Sequence, residues 1–176
     1  MRVGDFVLAW DAAPIATNDD IRMGVLCSGV AGPSTAALLR VAAGTYRVVV
    51  SRGYEYEIFD DAAVNVTGGA TVELAPSLVR SVSTTDTLCG DFHIHTNRSP
   101  DAADPGDDKI RYALGDGVEI PVRTDHEFVT AFEPNIDRLG VDQWAYGVSA
   151  VEYTTFDYGH FGVFPLQADP SRPNGG

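Results

Sequence analysis

The chain of 176 residues carries 25 acidic and 12 basic side chains, which gives a formal net charge of −13. This charge disfavours nucleic acids and anionic membrane surfaces as partners, because both would repel the protein. An apolar fraction of 44% is typical of a folded globular protein and excludes general disorder. No apolar run approaches the roughly 20 residues that cross a bilayer, so no membrane span is predicted.

Residues 1–87 show short apolar runs separated by turn residues, without helical periodicity. The predicted strands are 3–10, 37–42, 45–51, 54–59, 62–66, 70–75 and 78–82. The run 45–51 is β-branched or aromatic and lies between Gly44 and Gly53. Closely spaced strands without intervening helices predict a small antiparallel β-sandwich. Because this half has no cluster of catalytic residue types, we expect it to be an accessory domain.

The two cysteines leave the cellular compartment open. Cys27 and Cys89 are too far apart in sequence for a zinc knuckle or a Cys-x-x-Cys redox motif. They are compatible with one disulfide in an exported protein or with two buried thiols. The first residues show no apolar segment of a signal peptide. Export, for example to the periplasm, thus depends on the cysteines: a disulfide would favour it, and two buried thiols would not.

Residues 88–176 show a different pattern, in which strands and helices alternate. Strands are predicted at 91–95, 118–124, 147–153 and 160–165, with helices at 107–114 and in a short segment ending at Gly140. This order predicts a parallel α/β sheet or barrel, in which functional groups collect at the carboxyl ends of the strands. His126 and Glu152 both lie at or just after such an end. The sequence therefore predicts a functional site in this second domain.

All four histidines of the chain lie in this half, each beside an acidic residue or another histidine. Imidazole and carboxylate together are the ligands of hydrolytic zinc, manganese and iron sites. His93 and His95 are two residues apart in a predicted strand, so both imidazoles point to the same side. Asp101 follows after a short loop and can add a carboxylate oxygen.

Three later residues complete the candidate ligand set, namely His126, Glu152 and His160. A glutamate at the end of an apolar strand is unusual, because burying an unpaired carboxylate is costly, and Glu152 is the natural bridge between two ions. Asp125 is expected to orient a neighbouring ligand from outside the coordination shell. The predicted ligands are His93, His95, Asp101, His126, Glu152 and His160.

The histidine-containing motifs resemble the opening motifs of the PHP superfamily, which is named for polymerase and histidinol-phosphatase domains. These motifs are His93-Ile94-His95-Thr96, Ser99, Asp101, Thr124-Asp125-His126, Glu152 and Gly159-His160. The form Gly90–Thr96 together with Gly159–Phe161 is most similar to the carbaryl-hydrolase-like branch. Proteins of that branch often carry a small β domain first, and the run Gly44–Gly53 resembles part of such a domain. The resemblance covers about residues 88–166.

The resemblance implies the first half of a distorted (β/α)7 barrel with two or three divalent ions, either zinc, manganese or iron. The implied activity is hydrolysis of phosphoesters or related ester, amide or carbamate bonds in a small-molecule substrate. Where the family often has an aromatic residue, this chain has Arg98, which we expect to contact an anionic substrate. Since the family has further strands and later ligands, we also expect a fragment with little activity alone.

Two alternative functions stay open at this point. The first is a non-catalytic extracellular binding protein, in which the β domain recognises the ligand and the metal site is a remnant. The second is a mononuclear amidohydrolase-type enzyme, which also begins with His-x-His on a strand. That enzyme would use a lysine or histidine at the position of Glu152 and hold one ion per chain.

Overall fold

In the computed structural model, the chain divides into two compact units, Met1–Thr85 and Asp86–Gly176. The structure describes residues 10–11, 22–23 and 42–176. The predicted strands 3–10 and 37–42 lie almost entirely outside the described residues, and so does Cys27. Cys89 is exposed and its thiol is free.

The described part of the first unit contains two small antiparallel sheets. Strands β1 (Trp10–Asp11) and β2 (Arg22–Met23) form one, and β3 (Gly44–Val50) and β4 (Phe59–Val66) form the other. The register of the second sheet runs from Gly44 opposite Val66 to Val50 opposite Phe59, with an irregularity between Tyr46 and Val48. The ion pair between Arg47 and Asp60 joins its two strands across one face.

The predicted β-sandwich is wrong for the described residues of this unit. Residues 70–75, predicted as a strand, form no regular element, and Val72 and Leu74 are exposed. Alternating apolar residues favour a strand only where a second layer covers their apolar face. Here most side chains of β3 and β4 remain at least partly exposed, with Val50 and Val64 buried.

The second unit contains a parallel sheet, two helices and a hairpin. Its elements are β5 (Gly90–Ile94), α1 (Gly106–Gly115), β6 (Ile120–Arg123), α2 (Glu133–Leu139), β7 (Val148–Ser149), β8 (Val151–Thr155), β9 (Gly159–Val163) and a 3₁₀ turn (Pro173–Gly175). The three-stranded sheet has the order β5-β6-β7 and is parallel throughout. Strands β8 and β9 pair antiparallel. Neither described helix is long and apolar enough to cross a membrane.

Apolar side chains from the sheet, from α1 and from the segment after α2 form the core of this unit. Ile110 of α1, Val122 of β6 and Val141 after α2 are completely buried. Helix α1 begins with Asp107 in its first turn, where a carboxylate is favoured by the helix dipole. Helix α2 ends at Gly140, whose φ of 65° is the left-handed conformation that glycine adopts without strain.

The predicted half of a (β/α)7 barrel is also wrong. The described residues of the second unit have two α-helices and a short parallel sheet, and the parallel order stops at β7. A further parallel strand requires a crossover connection of about a dozen residues or more. Only Phe156, Asp157 and Tyr158 separate β8 from β9, so the chain turns back as a hairpin. The sequence pattern correctly suggests strands here, but not their direction.

Candidate metal centre

The structure brings all six predicted ligand residues together in the second unit. They form three overlapping groups, and within each group the candidate ligand atoms lie within 4.8 Å of one another. The groups are His93–His95–Glu152, His95–Asp101–His126 and His126–Glu152–His160. His95, His126 and Glu152 each belong to two groups, so the cluster is continuous.

Backbone pairing between the loop after β6 and strand β8 holds two of these residues side by side. The backbone N–H of Glu152 donates to the carbonyl of Asp125 at 3.2 Å, and that of Glu127 donates to the carbonyl of Glu152 at 3.1 Å. Glu127 has φ +59°, an uncommon conformation for a residue other than glycine. Its carboxylate accepts a hydrogen bond from the backbone N–H of Thr154 at 2.6 Å, which stabilises this turn.

The tightest group is a triangle of His93, His95 and Glu152. Nε2 of His93 lies 2.9 Å from Nε2 of His95 and 3.0 Å from Oε2 of Glu152. Nε2 of His95 lies 2.7 Å from the same Oε2. Each imidazole nitrogen carries at most one proton and the carboxylate carries none, so hydrogen bonds account for at most two of these three contacts. Separations of about 3 Å suit an ion with metal–ligand bonds of about 2 Å, and the donor set suits zinc, manganese or iron.

The other two groups extend from this triangle. Oδ1 of Asp101 lies 3.0 Å from Nδ1 of His95, and Oδ2 lies 3.3 Å from Nε2 of His126. Oε1 of Glu152 lies 2.7 Å from Nδ1 of His160. Both oxygens of Glu152 are therefore engaged, one by each of two groups. A carboxylate with its two oxygens placed in this way is able to bridge two ions, and the bridge itself stays a prediction.

The cluster has a buried side and an open side. The Glu152 side chain is 4% exposed and that of His95 is 15% exposed, whereas His93 and His160 are 59% and 52% exposed. Burial raises the pKa of Glu152, but hydrogen bonds with His93 and His160 outweigh it and bring the pKa below its ordinary value. Hydrogen bonds with Ser99 and His95 hold the pKa of Asp101 well below its usual range. Both carboxylates are thus ionised at neutral pH.

Asp125 lies beneath the cluster and is completely buried. Its carboxylate accepts hydrogen bonds from Thr96 N at 2.7 Å, Arg123 Nε at 2.6 Å and Thr130 Oγ1 at 3.2 Å. Its hydrogen-bond partners in the described residues include no ligand imidazole. Asp125 therefore acts on His126 through the backbone, and on His95 through the adjacent Thr96.

Several residues support the ligands although the sequence predicted no role for them, and two of them, Thr96 and Ser99, lie in the motifs that resemble the PHP superfamily. The Thr154 hydroxyl lies 2.6 Å from Nδ1 of His126, and the buried Ser99 hydroxyl accepts a hydrogen bond from His126 N at 3.2 Å. Arg123 donates to the Thr96 hydroxyl at 2.7 Å as well as to Asp125. Their spacing in the sequence could have identified two of them, because residues two apart in a strand point to the same side. Thr154 follows Glu152 by two residues in β8, and Arg123 precedes Asp125 by two residues.

Arg98, predicted to contact substrate, lies in the turn between His95 and Asp101. Its guanidinium group stacks over the ring of Phe128, 4.4 Å from the centroid. Its backbone N–H donates to the Thr96 hydroxyl at 3.3 Å.

No protein-family model, no curated protein and no solved structure matches this chain. The class of site is therefore defined by its geometry: four imidazoles and two carboxylates that converge on one face of a small α/β unit.

Two buried threonines allow a matched test of the network beneath the cluster. Thr96 and Thr124 are both completely buried, but the Thr124 hydroxyl has no hydrogen-bond partner among the described residues. Thr96→Val removes bonds to Asp125 and Arg123 and is expected to lower the free energy of unfolding by about 1–3 kcal/mol. Thr124→Val loses no such bond and is expected to be neutral or slightly stabilising.

Urea denaturation of the two threonine variants measures this difference. Both substitutions replace a hydroxyl by a methyl group of similar size, so each serves as the control for the other. Equal losses of stability in the two variants would contradict the assigned network.

Proposed function

We propose that the unit Asp86–Gly176 is a metal-dependent hydrolase, acting on phosphoesters or on related ester, amide or carbamate bonds. The ligands would be His93, His95, Asp101, His126, Glu152 and His160, with two or three divalent ions. The observation that carries the proposal is the triangle of His93, His95 and Glu152, with sides of 2.7 to 3.0 Å. The fold correction does not affect it, because the ligand atoms converge without a barrel.

Side chains of the cluster select the tautomers that such a site needs. A divalent ion bound here would lower the pKa of a water molecule and polarise the scissile bond. Asp101 accepts the Nδ1–H of His95, which leaves the lone pair of Nε2 directed toward Glu152. Thr154 can accept the Nδ1–H of His126 in the same way and leave Nε2 toward Asp101. The carboxylates of Asp101 and Glu152 offset the charge of the ions.

The open side of the cluster favours catalysis over a purely structural role. Structural zinc sites are closed by four protein ligands, whereas hydrolytic sites keep a position for water and substrate. His93 and His160 are both more than half exposed, so solvent reaches the candidate ligand atoms from this side.

Metal binding and hydrolysis can be tested separately on one preparation. We expect protein stripped with a chelator to rebind Zn²⁺ or Mn²⁺, and an ion at 100 times its Kd to stabilise the unit by about 2.7 kcal/mol. Thermal unfolding and elemental analysis measure this effect. The double variant His93→Ala/His95→Ala, which lacks two of the three corners of the triangle and so all of its sides, is the control and is expected to lose both ion and stabilisation.

Hydrolysis is then assayed with 4-nitrophenyl phosphate, bis(4-nitrophenyl) phosphate, 4-nitrophenyl acetate and a 4-nitrophenyl carbamate. Because little activity is expected of this chain alone, we expect slow but metal-dependent release of nitrophenol from at least one of these esters, above the rate of the His93→Ala/His95→Ala variant. Failure to rebind any ion would refute the metal centre. Rebinding without hydrolysis of any ester would refute the enzymatic proposal and favour a binding protein.

A further inference from the structure

Arg98 differs from the other arginines of the second unit in having no carboxylate partner among the residues that the structure describes. The described residues of this unit contain five arginines, and four of them form ion pairs with aspartates. These pairs are Arg111–Asp108, Arg123–Asp125, Arg138–Asp107 and Arg172–Asp169. In a chain with 25 acidic and 12 basic side chains, an arginine without an acidic partner in the described residues is unexpected.

The contacts of Arg98 fix its position without an ion pair to a carboxylate of the described residues. The central carbon of the guanidinium group, Cζ, lies 4.4 Å from the centroid of the Phe128 ring. A guanidinium group in such a cation–π contact keeps the N–H groups at its edge able to donate hydrogen bonds. The turn beneath it is held by the backbone bond from Ser99 N to Thr96 O at 2.8 Å and by the bond from Arg98 N to the Thr96 hydroxyl. A side chain held in this way loses little conformational entropy when it binds a ligand.

Arg98 and Phe128 come from the two loops that also carry candidate metal ligands. Ser99, the next residue after Arg98, places its hydroxyl 3.4 Å from Nδ1 of His95 and accepts a hydrogen bond from His126 N. Phe128 follows His126 by two residues. The stacked pair is therefore within two residues, along the chain, of Ser99 and His126 in the candidate metal centre.

We infer that Arg98, stacked on Phe128, binds an anionic group of the substrate, so that the hydrolase acts on anionic substrates. This inference rests on the proposed function and adds the substrate class to it. A planar guanidinium group binds the oxygens of a carboxylate or phosphate through two parallel hydrogen bonds. Because the net charge of −13 repels anions, selectivity for an anion requires such a local positive group.

Calorimetry on the zinc-loaded protein with three small probes tests this role. The probes are phenyl phosphate, benzoate and the neutral benzamide. We expect Arg98→Gln to weaken binding of at least one of the two anions by roughly tenfold or more, and to leave benzamide unaffected. The anion with the larger loss identifies the group that Arg98 recognises. Arg98→Lys keeps the charge without the planar fork, and its affinity is expected to lie between those of the wild type and Arg98→Gln.

Arg111→Gln is the matched control, because Arg111 pairs with Asp108 on helix α1, away from the candidate ligands in sequence. It is expected to bind all three probes like the wild type. Zinc content is measured on the same samples. Unchanged binding of both anions by zinc-loaded Arg98→Gln would overturn the role of Arg98 and leave the proposed function standing. Failure of the wild type to hold zinc would overturn the proposed function, and this inference with it.

Discussion

Replacement of Glu152 by glutamine is expected to lower the affinity of the protein for a divalent ion by at least about 100-fold. Loss of a residue that only hydrogen-bonds a metal ligand lowers metal affinity by up to about 100-fold. Glu152 is a candidate ligand itself, so its loss is expected to lower the affinity by at least as much. Its Oε2 faces both His93 and His95, and its Oε1 faces His160. Glutamine keeps the size of the side chain but removes the negative charge and one acceptor oxygen.

The Glu152→Gln substitution should weaken the binding of more than one ion, because Glu152 belongs to two of the three ligand groups. Chelator competition measures the affinity, and elemental analysis after dialysis measures the number of ions retained. Asp157→Asn is the matched control, since Asp157 is an exposed acid in the turn of the same hairpin. A Glu152→Gln protein that retains its ions with unchanged affinity would contradict the bridging position of this carboxylate.

Replacement of Arg123 by methionine is expected to lower the free energy of unfolding of the second unit by about 3–5 kcal/mol. The substitution leaves the Asp125 carboxylate completely buried without a cationic partner, while methionine fills much of the arginine volume. The cost therefore arises mainly from an uncompensated charge. Arg123 also donates to Thr96, so the variant should disturb the backbone beside His95 as well.

Urea denaturation followed by Trp144 fluorescence measures this loss in a Trp10→Phe background, which leaves one tryptophan, in the second unit. The double variant Arg123→Met/Asp125→Asn removes the uncompensated charge and should recover part of the stability. Arg111→Met is the control, because the Arg111–Asp108 pair is more exposed and should contribute less than about 1 kcal/mol. Similar losses in Arg123→Met and Arg111→Met would show that burial of the Arg123–Asp125 pair has no special effect.

Local patterns predicted the parts of the fold that depend on neighbouring residues. The predicted helix 107–114 lies within α1, and the predicted segment ending at Gly140 corresponds to α2. The predictions of a barrel and a sandwich are wrong because both depend on which strands pair with each other, and the local pattern of residues does not specify that pairing. Alternation in 147–153 and 160–165 is the same whether a strand continues a parallel sheet or turns back as a hairpin. The three-residue connection between β8 and β9 decides for the hairpin.

The sequence by itself determined the chemistry of the candidate site. It contains the imidazoles and carboxylates, and the two-residue spacing of His93 and His95 in a strand directs both rings to one side. Only the tertiary structure decided which atoms meet. His93 and Glu152 are 59 positions apart, and no spacing along the chain sets the 3.0 Å between their side chains. Pairing of β5 with β6, together with the backbone pairing of His126 with Glu152, brings the two side chains together. The Arg123–Asp125–Thr96 network supports this arrangement, and such long-range contacts depend on how the elements pack.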